Sequence, residues 1–223
     1  MATDYTPTAR RLGLYSSVIT ALLIVSYAVA LVVGLSSLKS PDEPIGDPMF
    51  SILEILIMAM MPVMVALMIA VHAWAPASRK TLSLASVVFM GLLAVVTCGV
   101  HFVVFTASRH PAFAGQPWVS LFFSFEWPSV AYALDILGWD VFFSLSMLFA
   151  AAVFGGSRLA IWVRWSIVVS GVLAFAGLIG VAFGDMQLRN VGIVGYVGVF
   201  LVVTVLLAVF FGREKPRVVL GNS

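Results

Sequence analysis

Charge is what this chain has least of. Only 10% of its 223 residues are Asp, Glu, Lys or Arg, against about 25% in an ordinary soluble domain, and that scarcity excludes a solvated globular surface. The 12 basic and 10 acidic residues are scattered, sum to +2 and form no basic face for nucleic acid. One cysteine, Cys98, excludes an intramolecular disulfide and leaves the redox compartment unread. Inside an apolar run it reads as a small core residue. No lysine falls within an apolar run, since Lys39, Lys80 and Lys215 all sit at boundaries, which removes a retinal Schiff base. His72 and His101 lie toward opposite membrane faces and cannot pair on a haem. HExxH, GxSxG, P-loop and TVGYG sequences are all missing. No cofactor is implied by what remains.

What is abundant is apolar sequence: 62% of residues are hydrophobic and the mean hydropathy is +1.11. With roughly 20 apolar residues per crossing, the length accommodates six spans and almost no soluble domain. The expected fold is all-α, a polytopic integral membrane protein with six transmembrane helices in a single bundle. The apolar runs place the spans at residues 12–38, 49–74, 81–107, 129–154, 159–183 and 191–212. Ala28-Val29-Ala30 resembles a signal-peptidase site, but the run continues through LVVGLSSL, so an uncleaved first helix is expected. Pro62 falls mid-span and predicts a kink in the second helix. Between spans three and four, SRHPAFAGQPWVSLFFSFEWPS is too aromatic for a solvated loop. It reads as an aromatic interfacial segment, an anchor in the headgroup region, with a lid over a site between helices as the other reading. Gly171, Gly177, Gly180, Gly184, Gly192, Gly195 and Gly198 give spans five and six small faces for close helix packing, within a protomer or in a homo-oligomer.

Basic residues fix an orientation. With a cytoplasmic N-terminus, Arg10, Arg11, Arg79, Lys80, Arg158, Arg164, Arg213, Lys215 and Arg217 lie inside, and only Lys39, Arg109 and Arg189 lie in outer connections. This obeys the positive-inside rule across every connection and predicts a prokaryotic-type plasma (inner) membrane with both termini cytoplasmic. The acids oppose it: Asp42, Glu43, Asp47, Glu126 and Asp185 fall outside, Asp4 and Glu214 inside. Arg164, between Trp162 and Trp165, is placed to snorkel to headgroups.

Three acids lie within spans, Glu54, Asp135 and Asp140, and an ionisable group in hydrocarbon points by default to function. At a rise of about 1.5 Å per residue, Glu54 and Asp135 lie roughly 6–9 Å below the outer surface and His101 at a similar depth. Asp140 falls near the midplane. At about 100° per residue Asp135 and Asp140 stand some 140° apart, so they cannot both face one narrow site: Asp135 shares a face with Tyr132 and Trp139, Asp140 one with Ser144, and either the fourth helix contacts neighbours on two sides or one acid serves only packing.

These residues support several functions. Glu54, His101, Asp135, Asp140 and Tyr132 suit a pocket that binds or translocates a small ligand, cation, amphiphile or proton, with the acidic outer loops gathering cations. His101, Glu54 and Asp135 suit a metal or acid–base site in a membrane-embedded enzyme, though no catalytic residue can be named. A partner subunit whose acids are only interhelical polar glue is the third reading.

Overall fold

The computed structural model describes residues 5–40 and 43–216. Asp4, Asp42 and Arg217, assigned above to the two membrane faces, lie outside the described residues. Six helices are long and apolar enough to cross a membrane: α1 (Pro7–Ser36), α2 (Met49–Trp74), α3 (Ala77–Arg109), α4 (Val130–Ala151), α5 (Arg158–Phe183) and α6 (Asn190–Arg213). This is the build of a multi-pass membrane protein. Their lipid-facing sides are apolar as well: Leu22, Val25, Val29 and Val32 of α1 and Val95 of α3 are exposed, which in water would be a large unpaired patch.

Local chemistry sets the ends. The first helix starts five residues before the apolar run because the Thr6 hydroxyl accepts from Ala9 N at 3.1 Å and Pro7 occupies the first helical position. Ser129 and Ser157 cap α4 and α5 in the same way, accepting from Tyr132 N and Ala160 N. Gly184 ends α5 in the left-handed conformation at φ 70°, where a side chain is strained. Pro62 sits inside α2, and the helix continues through it.

Each helix packs against its neighbour in sequence, and α6 closes back on α1, so the bundle is a ring of six. The closure is fastened by Arg10, whose guanidinium donates to the carbonyls of Phe211 at 3.0 Å and Gly212 at 2.5 Å. These are last-turn carbonyls that have no helical partner. Arg79 does the same for α4, donating to Ala152 O at 2.6 Å. The described ends of the chain therefore share one face of the bundle with Arg79.

The ring is filled unevenly. In the half nearer the chain ends, Met61, Met64, Leu67, Met68, Met90, Leu93, Phe143, Met147, Phe200 and Phe211 are buried and pack into one apolar core. Trp74 stacks on Phe154 at 5.2 Å and meets Phe210 edge-on at 4.8 Å. The opposite half is hollow.

Two helices depart from α geometry at that transition. Residues Leu137–Phe143 of α4 and Val194–Val199 of α6 are π-helical, a feature that recurs at functional sites. The two widened turns face each other through Trp139 and Tyr196, whose rings lie 5.1 Å apart.

Candidate functional site

The hollow half holds a cavity of about 550 Å³. Its wall comes from α1 (Ile24, Tyr27, Leu31), α2 (Phe50, Glu54, Ile57), α3 (His101), α4 (Tyr132, Asp135, Trp139) and α6 (Ile193, Tyr196). Trp139 and Tyr196 form its floor, and Phe143 and Phe200, whose rings meet edge-on at 5.0 Å, seal what lies beneath. At the mouth are Pro44 and Ile45 of the first connection and Phe123, Ser124, Phe125 and Glu126 of the third.

That third connection divides its labour. Trp118, Leu121, Phe122 and Trp127 remain exposed, as an interfacial anchor requires. Phe123 and Phe125 turn inward, and the Phe125 ring stacks on His101 at 4.8 Å. Part of the segment is thus a wall of the cavity. The first and third connections are tied together by Arg109, which donates to Asp47 at 2.6 Å and lies 4.0 Å above the Phe50 ring. The hydrogen bond from Arg109, helped by one from Ser51, holds the Asp47 carboxyl below the ordinary carboxylate range.

One polar chain runs along the cavity and into the bundle. His101 Nδ1 and Glu54 Oε2 are 2.8 Å apart, and His101 Nε2 stands 3.8 Å from Asp135 Oδ1. Asp135 Oδ2 accepts from Arg189 Nη2 at 3.3 Å. Arg189 Nε donates to Asp140 Oδ2 at 3.0 Å, its Nη2 reaches Asp140 Oδ1 at 3.5 Å, and its Nη1 donates to the Tyr132 hydroxyl at 3.1 Å. Glu54, His101, Asp140 and Arg189 are all buried. The hydrogen bond between Nδ1 and Glu54 fixes the orientation of the ring. Nε2 is then left buried and without a hydrogen-bond partner at the cavity wall.

The expected layer of Glu54, His101 and Asp135 comes together, with Tyr132 beside it. The place given to Asp140 does not hold. Asp140 is fully buried, and it shares Arg189 with Asp135 instead of standing alone on another face. The reach of Arg189 is the reason: its Nη2 bonds Asp135 while its Nε bonds Asp140, so one guanidinium joins two carboxylates of a helix that turns π-helical from Leu137 onward.

Arg189 is a second correction. Read as a basic residue of an outer connection, it lies 3% exposed inside the bundle, at the residue before α6 begins. Its signal was visible in the sequence. That signal was slight, one of three basic residues in outer connections, next to spans holding an acid, Asp140, for which no counter-charge had been named. The glycines make room for the pair. A Cβ on Gly177 would stand 3.1 Å from Asp140 Oδ2, and one on Gly180 2.8 Å from Arg189 N. Gly195 lies so close to α5 that a Cβ would meet Ala174 N at 2.6 Å, and Ser170 donates to its carbonyl at 2.9 Å. These small faces are used within the protomer.

Among the described residues no group of three or more His, Cys, Asp and Glu side chains converges so as to hold a metal ion. Glu54 and Asp135 flank opposite nitrogens of His101. His72 pairs with Ser83 at 2.8 Å at the other end of the bundle. Cys98 packs beside Met58, its Sγ 3.8 Å from that carbonyl. No protein-family model, curated protein or solved structure matches the chain.

Proposed function

We propose that this chain is a multi-pass protein of a prokaryotic-type plasma membrane, with both termini cytoplasmic, whose outward-facing pocket binds a small amphiphilic ligand. The observation that carries the reading is the cavity of about 550 Å³ whose apolar wall ends on the Glu54–His101–Asp135 row. Ligand sites have this size and build, mostly apolar with a few convergent polar groups. Glu54, His101, Tyr132 and Asp135 serve as the polar contacts, and Asp140 positions Asp135 through Arg189. The orientation rests on Arg10, Arg11, Arg79, Lys80, Arg158 and Arg213 clustering on the side away from the pocket. The packed methionine and phenylalanine layer beneath Trp139 favours binding over passage through the bundle axis.

Ala28 lines the cavity on α1, and Ala28→Trp puts an indole into it while leaving every polar side chain of the site in place. The variant is expected to lose saturable binding of a short-chain amphiphile in lipid nanodiscs while its unfolding profile is retained. Binding equal to that of the natural chain defeats the proposal.

A second reading is favoured by one observation. A buried carboxylate–histidine pair whose Nε2 makes no hydrogen bond at a cavity wall is the arrangement of a general base. Under that reading His101→Gln removes turnover of a bound substrate and leaves its affinity in place.

A further inference from the structure

Resting on the reading of the cavity as a ligand site, we infer that its occupant is a lipophilic organic cation, a quaternary or tertiary ammonium carried on an apolar body. Among the described residues, the charged side chains that line the cavity are Glu54, Glu126 and Asp135, with His101 the only group there able to carry positive charge. No lysine or arginine is among them. Arg189, the cation nearest by, stands behind Asp135 and off the cavity wall, and its donors are taken by Asp140, Asp135 and Tyr132. The wall therefore offers carboxylate oxygens and no compensating fixed charge. An anionic head would face three carboxylates there with only His101 to offset them.

The remainder of the wall is aromatic. Tyr27, Phe125, Tyr132, Trp139 and Tyr196 present rings around the same space, and ring faces attract a desolvated cation, the recognition used for quaternary ammonium ligands. An inorganic cation is poorly served. Calcium takes six to eight oxygen ligands and magnesium an octahedral set, while this wall combines few oxygens with a large apolar surface. The apolar volume instead suits the body of an amphiphile, its head lodged between Glu54 and Asp135 beside the unpartnered Nε2 of His101. A protonated His101 places its own positive charge between the same two carboxylates, so an organic cation and that proton compete. The facing groups that share this balance are Tyr27 of α1, Glu54 of α2, Asp135 of α4, Tyr196 of α6, and Glu126 and Phe125 of the third connection.

The test uses the full chain in lipid nanodiscs, with empty nanodiscs subtracted, and three probes of one chain length: octyltrimethylammonium, octanol and octanesulfonate. Octyltrimethylammonium is expected to quench Trp fluorescence saturably with a Kd about tenfold below that of octanol, and octanesulfonate not to saturate. Glu54→Gln is expected to weaken the ammonium about tenfold and leave octanol unchanged. Glu126→Gln, at the exposed rim and independent of the buried row, is expected to weaken it by a smaller factor. The ranking of the three probes on the natural chain decides the matter even where Glu54→Gln does not fold. Octanol or octanesulfonate binding as tightly as the ammonium, with Ala28→Trp abolishing both, overturns the cation and leaves the pocket reading standing. If no probe saturates, both fall.

Discussion

Replacing Arg189 with leucine removes the only fixed positive charge among the described residues in contact with Asp135 and Asp140. The guanidinium makes three short contacts, at 3.0 Å to Asp140, 3.3 Å to Asp135 and 3.1 Å to Tyr132, and a longer one at 3.5 Å. Removing one partner of a buried ion pair costs about 3–5 kcal/mol in water-soluble proteins. In a bilayer the loosened reference state finds other partners, and single interhelical polar contacts average about 0.6 kcal/mol. Arg189→Leu is therefore expected to cost about 3 kcal/mol, between those limits. Asp140→Asn keeps the shape and one acceptor and is expected to cost about 1–2 kcal/mol. If the two side chains act as a pair, the double variant costs less than both single ones together by about 1–3 kcal/mol. Reversible unfolding in mixed micelles titrated with dodecyl sulfate, followed by circular dichroism, reads all three. Costs that add to within about 0.5 kcal/mol would mean the pair is not coupled, and the chain of contacts from Glu54 to Asp140 would lose its keystone.

The glycines offer a contrast within one helix. Gly195→Ala forces a Cβ to 2.6 Å from Ala174 N and is expected to destabilise by about 1–3 kcal/mol. Gly198→Ala, whose Cβ would meet nothing within 4 Å, is expected to be neutral or to stabilise by about 0.5–1 kcal/mol; the reverse order in the same unfolding assay contradicts the packing described. The Asp47–Arg109 tie has an acid limit. Because its folded carboxyl sits below the ordinary range, the tie's contribution is complete above that range and is lost as pH falls through the depressed value. A spin label at Ile45 should stay immobile down through the ordinary carboxylate range and loosen only below it, whereas Arg109→Gln should be loose throughout; identical profiles would remove Arg109 from the mouth. Topology is checked by single cysteines in a Cys98→Ala background, with Pro44→Cys labelled by an impermeant reagent from outside and Ser78→Cys protected. The opposite pattern inverts the orientation.

The six spans were legible because each is a continuous apolar run closed by turn formers, and hydrocarbon leaves a chain little alternative to helices. Glu54, His101 and Asp135 were legible as a layer because depth follows from counting residues along a straight helix. Rotation about the axis does not survive the same counting. Arg189 reaches both Asp135 and Asp140, and nothing in LDILGWDVFF announces either that shared partner or the π-helical stretch that begins at Leu137. Arg189 was hidden by the convention that a short loop between spans belongs to the surface. The side chain is long enough to leave the loop and return into the bundle, and two acids there reward it for doing so. The inward turn of Phe123 and Phe125 was equally obscured, since an interfacial anchor and a cavity wall draw on the same residues.

The separation between Arg189 and its acids also sets an order of events at the ribosome. Asp140 precedes Arg189 by 49 residues and Asp135 by 54. The fourth span, with both carboxyl groups, is thus synthesised before their counter-charge, and the whole of the fifth span comes between them. Until Arg189 arrives the acids must be carried neutral, or held by His101 against the earlier spans. Insertion of α6 ends the wait. Chains stalled after α5 are the ones a membrane quality-control protease should find first, for they display two acids in lipid and a ring with one side open.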